Sequence, residues 1–154
     1  MKCLLILHAG ESGAGHAFAL AQAAAEGAQA EAGGVQVCLW PALQAGVDEL
    51  LAADALLFVT PEKFGYMAGA LKDFFDRTFY PAQGKVAGLP YALIVVAGND
   101  GLGAIGAVER IARGYPFKPV AEPLLVRGAP TPVELAQARE LGEALASGLL
   151  LGIF

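Results

Sequence analysis

At 154 residues the chain is long enough for one domain with a real core and too short for two comfortable ones. It is 56% hydrophobic and 16% charged, with a mean hydropathy of +0.53, which excludes a disordered chain and suits a sheet covered on both faces. Ten basic against fifteen acidic side chains leave a formal charge of −5 and no basic stripe, which argues against a nucleic-acid partner.

The first apolar run, KCLLILH (2–8), reads as a buried strand. Its unbroken apolar part covers five residues, Cys3 to Leu7, too few for a secretory signal of roughly 7–15. The C-terminal LLLGIF is likewise far short of the ~20 residues that span a bilayer. The expectation is a soluble cytoplasmic protein without membrane contact. Cys3 and Cys38 sit in apolar strand-like runs and are expected to be reduced, buried thiols; a disulfide or metal site would call for more partners.

Residues 15–32 are rich in Ala with Glu and Gln, a helix. Gly33-Gly34 breaks it before VQVCLW (35–40), the second strand. VDELLAAD (47–54) is a short helix and ALLFVT (55–60) a third strand. In 68–80, Leu71, Phe74, Phe75 and Thr78 recur at helical spacing. YALIVVA (91–97) is the fourth strand, and 104–114 a helix with Ile105, Val108 and Ile111 inward. PLLVRG (123–128) reads as a fifth strand. In TPVE (131–134), Thr131, Pro132 and Glu134 spell a capping box that opens a helix to about Leu149.

Five apolar strands alternating with five helices predict a single domain, 1–154, of α/β class: a three-layer sandwich around a five-stranded parallel sheet. The doubly wound order that fits this length is 2-1-3-4-5, flavodoxin-like, and ligands then bind beyond the carboxyl ends of the strands, where strands 1 and 3 diverge. The loops after strands 1, 3 and 4 should hold any site. The first, HAGESGAGHAF (8–18), combines Gly10, Gly13 and Gly15 with a helix start, an anion-binding arrangement or a plain Gly-rich turn. It is not a P-loop, because His16 and Ala17 replace the Lys and Ser/Thr, and Phe18 spoils a dinucleotide fingerprint. The loop after strand 4, AGNDGLG (97–103), has Asn99 and Asp100 to meet polar ring edges or to make the turn. The loop after strand 3, TPEKFGYMAG (60–69), puts Phe64, Tyr66 and Met67 where loops are usually polar, which suits either a flat apolar ligand or burial in a core or interface. No Ser/His/Asp triad or carboxylate dyad is evident, so no catalytic side chain is assigned, and no metal site.

TPEKFGYMAGALKDFFDRTFYP (60–81) resembles the corresponding segment of flavodoxin-like NAD(P)H-dependent oxidoreductases, which include FMN reductases and tryptophan-repressor-binding-protein-type quinone reductases. GKVAGLPYALIVVAGNDGLGA with VERIARG resembles their next stretch, and the likeness runs from strand 1 to helix 4. The resemblance implies one FMN per subunit. Its phosphate loop would fall on Ser12, Gly13, Ala14, Gly15, His16 and Ala17, with Ser12, Gly15 and His16 matching the family pattern. Ala14 and Ala17 replace positions that usually carry hydroxyls. Glu62, Lys63 and Phe64, between Pro61 and Gly65, fall on the flavin-contacting triplet. Gly98, Asn99, Asp100 and Gly103 would flank the pyrimidine edge, and Tyr66 and Tyr80 the substrate. The implied reaction passes electrons from NAD(P)H through the flavin to a quinone, a flavin or another small acceptor, in a homodimer or tetramer. Two other readings share the fold: an electron-carrier flavodoxin, and a non-enzymatic binding module that has lost FMN.

Overall fold

Apolar runs too short and too β-branched to be buried helices pair as parallel strands, and the Ala- and Leu-rich segments between them cross back over the sheet. The computed structural model describes residues 1–10, 15–31 and 33–154. Its strands are β1 (Lys2–His8), β2 (Val35–Pro41), β3 (Ala55–Lys63), β4 (Tyr66–Met67), β5 (Pro90–Ala97), β6 (Lys118–Pro119) and β7 (Leu124–Arg127). Its helices are α1 (Gly15–Ala30), α2 (Val47–Ala52), α3 (Gly69–Ala82), α4 (Leu102–Gly114) and α5 (Pro132–Leu151).

The sheet order is β2-β1-β3-β5, with β6 and β7 sharing the outer edge of β5. All these pairs are parallel, so the five expected strands stand in the expected order, the fifth being β7. Three features depart from expectation. β3 continues to Lys63, three residues past its expected end at Thr60, and returns through the antiparallel β4. β6 is a two-residue strand that the sequence pattern did not mark. α3 runs through Pro81 to Ala82.

Strand residues alternate between two apolar layers. Leu5, Leu7, Phe58 and Leu93 meet α2, α3 and α4, while Leu4, Ile6, Val59 and Ile94 meet α1 and α5. At the start of α5, the Thr131 backbone N–H and hydroxyl both donate to Glu134 Oε1, at 2.8 and 2.9 Å. Those bonds hold the Glu134 carboxyl below its ordinary range. Helices α1 and α5 touch through glycines. A Cβ at Gly142 would stand 1.9 Å from the Ala24 carbonyl oxygen, and one at Gly27 would stand 2.0 Å from that of Arg139.

The cysteines correct the sequence reading. Both are half-buried rather than buried, on the sheet face that the six-residue α2 covers incompletely. Burial pushes the Cys3 thiol up to about 11, with Cys38 beside it and Asp54 acting in the same direction. Of the apolar C-terminal tail, Phe154 packs back onto Gly148, whereas Leu151 and Ile153 are exposed. Among the described residues, no helix is long and apolar enough to cross a membrane.

Candidate functional site

Parallel strands deliver the loops after β1, β3 and β5 to one end of the sheet, and the segment between β3 and α3 organises that end. Glu62 pairs with Met67 and Lys63 with Tyr66, leaving Phe64-Gly65 as a two-residue turn. Both turn residues have positive φ, 52° and 73°, the geometry of the hairpin turn that favours Asn-Gly. The set of large side chains therefore splits three ways: Met67 enters the core, Tyr66 is partly exposed, and the Phe64 ring stands wholly in solvent. At the base, Thr60 is buried, donates to the Pro61 carbonyl at 2.9 Å and accepts from the Ala68 N–H at 3.0 Å.

An aromatic side chain held in the left-handed region costs roughly 1–2 kcal/mol. Replacing Phe64 by Asn, which tolerates that region, should therefore raise stability by about 1 kcal/mol. A urea midpoint that stays level or falls in Phe64→Asn would show that the turn is not strained.

The hairpin is locked to the loop after β5. The Glu62 carboxylate accepts the Asn99 N–H at 3.3 Å and the Gly101 N–H at 3.0 Å. The Gly65 carbonyl lies against Gly103, where a Cβ would come within 1.9 Å of its oxygen. Asp100 instead makes the turn, its Oδ1 accepting the Leu102 N–H at 3.0 Å. The donors of this loop face the hairpin carboxylate, a pairing of residues 37 and 39 apart in sequence for which no local pattern exists.

On the other side, the loop after β1 is described only in part. Ser12, Gly13 and Ala14 lie outside the described residues. Gly15 has φ 85°, and among the described residues nothing stands where its Cβ would be; His16 is exposed, and Ala17 is buried beside Gly10. A cleft of about 250 Å³ opens here between His8, Gly10, Pro41, Ala42, Leu43, Gln44 and Ala70. Its wall after β2 is pinned from α3. Arg77 donates to the Ala42 and Ala45 carbonyls at 2.9 Å each, and to Asp73 at 2.7 Å. The i, i+4 spacing of Asp73 and Arg77 accounts for the ion pair, whereas the two carbonyls belong to a distant loop.

His8 is 2% exposed, lies edge-on to Phe18 at 5.1 Å, and has no partner for Nδ1 among the described residues. Burial lowers its pKa, so the folded protein holds it neutral. The unfolded chain binds the proton more readily, so this group's contribution is present above the ordinary pKa of about 6.5 and lost as pH falls through the lowered folded value. Urea midpoints should therefore decline below about pH 6.5, and His8→Gln should flatten that decline; equal slopes in the two proteins would exclude His8 as the cause.

Tyr80 is not part of this arrangement. It sits eleven residues beyond Gly69 along α3, roughly 16 Å at the helical rise, and lines a separate cleft with Phe79, Ile111 and Tyr115. Pro61, Glu62, Lys63, Phe64, Gly65, Tyr66, Asn99, Asp100 and Gly103 are brought together, and Gly98 opens the third loop with space around its Cα.

Residues 39–112 match the family model described as NADPH-dependent FMN reductase. That segment contains the hairpin, its clamp and most of α4. A 32-residue stretch is 56% identical to an NAD(P)H dehydrogenase (quinone) of Geobacter metallireducens, covering 21% of this chain and 16% of that protein. A second such dehydrogenase, from Syntrophobacter fumaroxidans, is 59% identical over 32 residues, again 21% and 16%. The match thus spans about a sixth of the length of these relatives. The whole fold is flavodoxin-like. A flavodoxin from the domain Archaea superposes with a TM-score of 0.80 at 21% identity, over 95% of this chain and 97% of its own. An apo NADH:FMN oxidoreductase gives 0.75 at 14% identity, over 96% and 90%.

Proposed function

We propose that the protein is an FMN-dependent NAD(P)H oxidoreductase that passes electrons to a quinone or another small acceptor. The observation that carries this reading is the clamped hairpin itself, which lies inside the segment that matches the FMN-reductase family and stands at the carboxyl end of the sheet. The residues fit a flat, phosphorylated ring cofactor. Among the described residues nothing crowds the Cβ positions of Gly15 and Gly98, which leaves room for a ligand to approach the backbone, and His8 lines the adjoining cleft.

FMN, when bound, supplies the electron-accepting ring and the chemistry. The chain's part is placement. Gly15 and the start of α1 would hold the phosphate. The hairpin backbone from Glu62 to Gly65 would face one ring edge, and Gly98 to Gly103 the pyrimidine edge. Glu62 keeps those two loops in register. Phe64 and Tyr66 offer apolar surface that excludes water from a reacting face. We place the protein in the cytoplasm as a homo-oligomer; exposed Leu151 and Ile153 support a contact between copies, and light scattering on the purified chain reads it.

The decisive experiment is titration of the purified chain with FMN, followed by NADPH or NADH and a quinone. Bound flavin that is reduced by the nicotinamide and reoxidised by the quinone is the expected result. A chain that takes up no FMN would overturn the reading in favour of a binding module. Bound flavin that no nicotinamide reduces would make the protein an electron carrier.

A further inference from the structure

The two thiols on the opposite part of the sheet are unused by that chemistry. Cys3 on β1 stands opposite Gln36, and Cys38 on β2 stands opposite Leu5, so the cysteines are diagonal neighbours on adjacent parallel strands. Leu5 packs in the layer under α2 to α4, and Cys38 packs against the same layer. Alternation along β1 and β2 therefore sends both thiols to that one face. They share a cleft of about 320 Å³ with Met1, Leu5, Trp40 and Ala52. Trp40, the only tryptophan of the chain, is partly exposed at this cleft.

The spacing disfavours a disulfide. Strands lie about 4.8 Å apart and two residues advance roughly 6.6 Å, which places the Cα atoms about 8 Å apart. Bridging by a direct S–S bond fails beyond about 7 Å without backbone movement. Metal–sulfur bonds of about 2.3 Å span roughly 4.6 Å from sulfur to sulfur, which such a diagonal pair can meet with its side chains alone.

Asp48 and Glu49 line the cleft as well, and two of the nearby carboxylates are partly engaged. Asp54 Oδ2 accepts the Cys3 N–H at 2.8 Å, and Glu49 Oε1 accepts the Gly46 N–H at 2.8 Å. Their negative charge still favours a cation over an anion in this cleft. Among the described residues, no cluster of three or more His, Cys, Asp or Glu side chains is arranged for a metal. Zinc, which takes four ligands in structural sites, is therefore poorly served. Thiolates with few accompanying oxygens select soft ions of the Cu(I) kind.

We propose that Cys3 and Cys38 form a two-thiolate site for a soft, thiophilic cation of the Cu(I) class, in the cleft between β1, β2 and α2. Binding replaces two S–H bonds with two S–metal bonds and releases both protons to solvent; the metal keeps its oxidation state. The site lies at the β2 edge of the sheet, whereas the hairpin extends from β3.

Trp40 gives the test its reporter. The 154-residue chain is titrated anaerobically with Cu(I) in competition with a chromophoric Cu(I) chelator while Trp40 fluorescence is followed. The wild type should take up one equivalent, with quenching that saturates at the same point. Cys3→Ser and Cys38→Ser should each weaken uptake by roughly 100-fold, the upper end of what even outer-sphere changes cost a metal site. Zn(II) should leave the fluorescence unchanged. Cys3→Ala and Cys38→Ala, checked for unaltered melting, guard against a folding defect. Wild-type uptake no greater than that of the double Cys→Ala variant would overturn the proposal. So would uptake that leaves Trp40 unquenched, or that survives either single substitution.

Discussion

Gly142→Ala should lower the melting temperature by roughly 5–10 °C. Alanine is ordinarily the better helix residue by about 1 kcal/mol, so the sign depends entirely on packing. Here the added methyl would stand 1.9 Å from the Ala24 carbonyl oxygen and 2.7 Å from its carbon. Both are backbone atoms of α1, so α5 must move away as a unit. Forced overpacking of this kind costs ~2–3 kcal/mol, and each kcal/mol moves the midpoint by about 2–4 °C at this chain length. Gly27→Ala should act alike, since its methyl would meet the Arg139 carbonyl. Gly106→Ala, in α4 with open space around it, is the matched control and should stabilise by about 0.5–1 kcal/mol. Calorimetry of the three variants checks the pattern; a Gly142→Ala protein that melts with or above the wild type would mean that α1 and α5 are not in backbone contact.

Gly103→Ala should uncouple the hairpin from α4. The new methyl would stand 1.9 Å from the Gly65 carbonyl oxygen, at the tip of the turn. Relief requires the tip to lift, which stretches the bonds from Asn99 and Gly101 to the Glu62 carboxylate. Hydrogen bonds to a charged group are worth about 1.5–3 kcal/mol each, so losing one such bond would weaken the proposed flavin site by roughly 10- to 100-fold. Amide exchange offers a readout that does not depend on any cofactor. The Asn99 and Gly101 amides should be protected in the wild type and exchange faster in Gly103→Ala. Unchanged protection of both amides would show that Gly103 does not hold the hairpin down.

These sites show how far local pattern reaches. The strands from KCLLILH to PLLVRG were legible because a buried parallel strand is a continuous apolar run, and their order was the doubly wound one that fits five strands at this length. The Thr131–Glu134 box was legible because both partners lie within one helical turn. The segment 60–69 was legible as unusual, through its aromatic residues, but not as a hairpin. Phe-Gly is a poor signature for a turn with two positive φ angles, so the chain gave no local sign that β3 would return as β4.

The doubly wound α/β class was legible in the alternation of apolar strands and helices, and the strand order in the number of strands and the chain length; the end of the sheet expected to hold a site follows from that order. Only the tertiary structure decided that Glu62 clamps the loop after β5, that Gly103 admits the Gly65 carbonyl, that Tyr80 stands apart, and that Cys3 and Cys38 share an open cleft. Each of these is a meeting of residues distant along the chain. Such meetings are set by how whole elements pack, and a linear pattern records only neighbours within a turn or a strand.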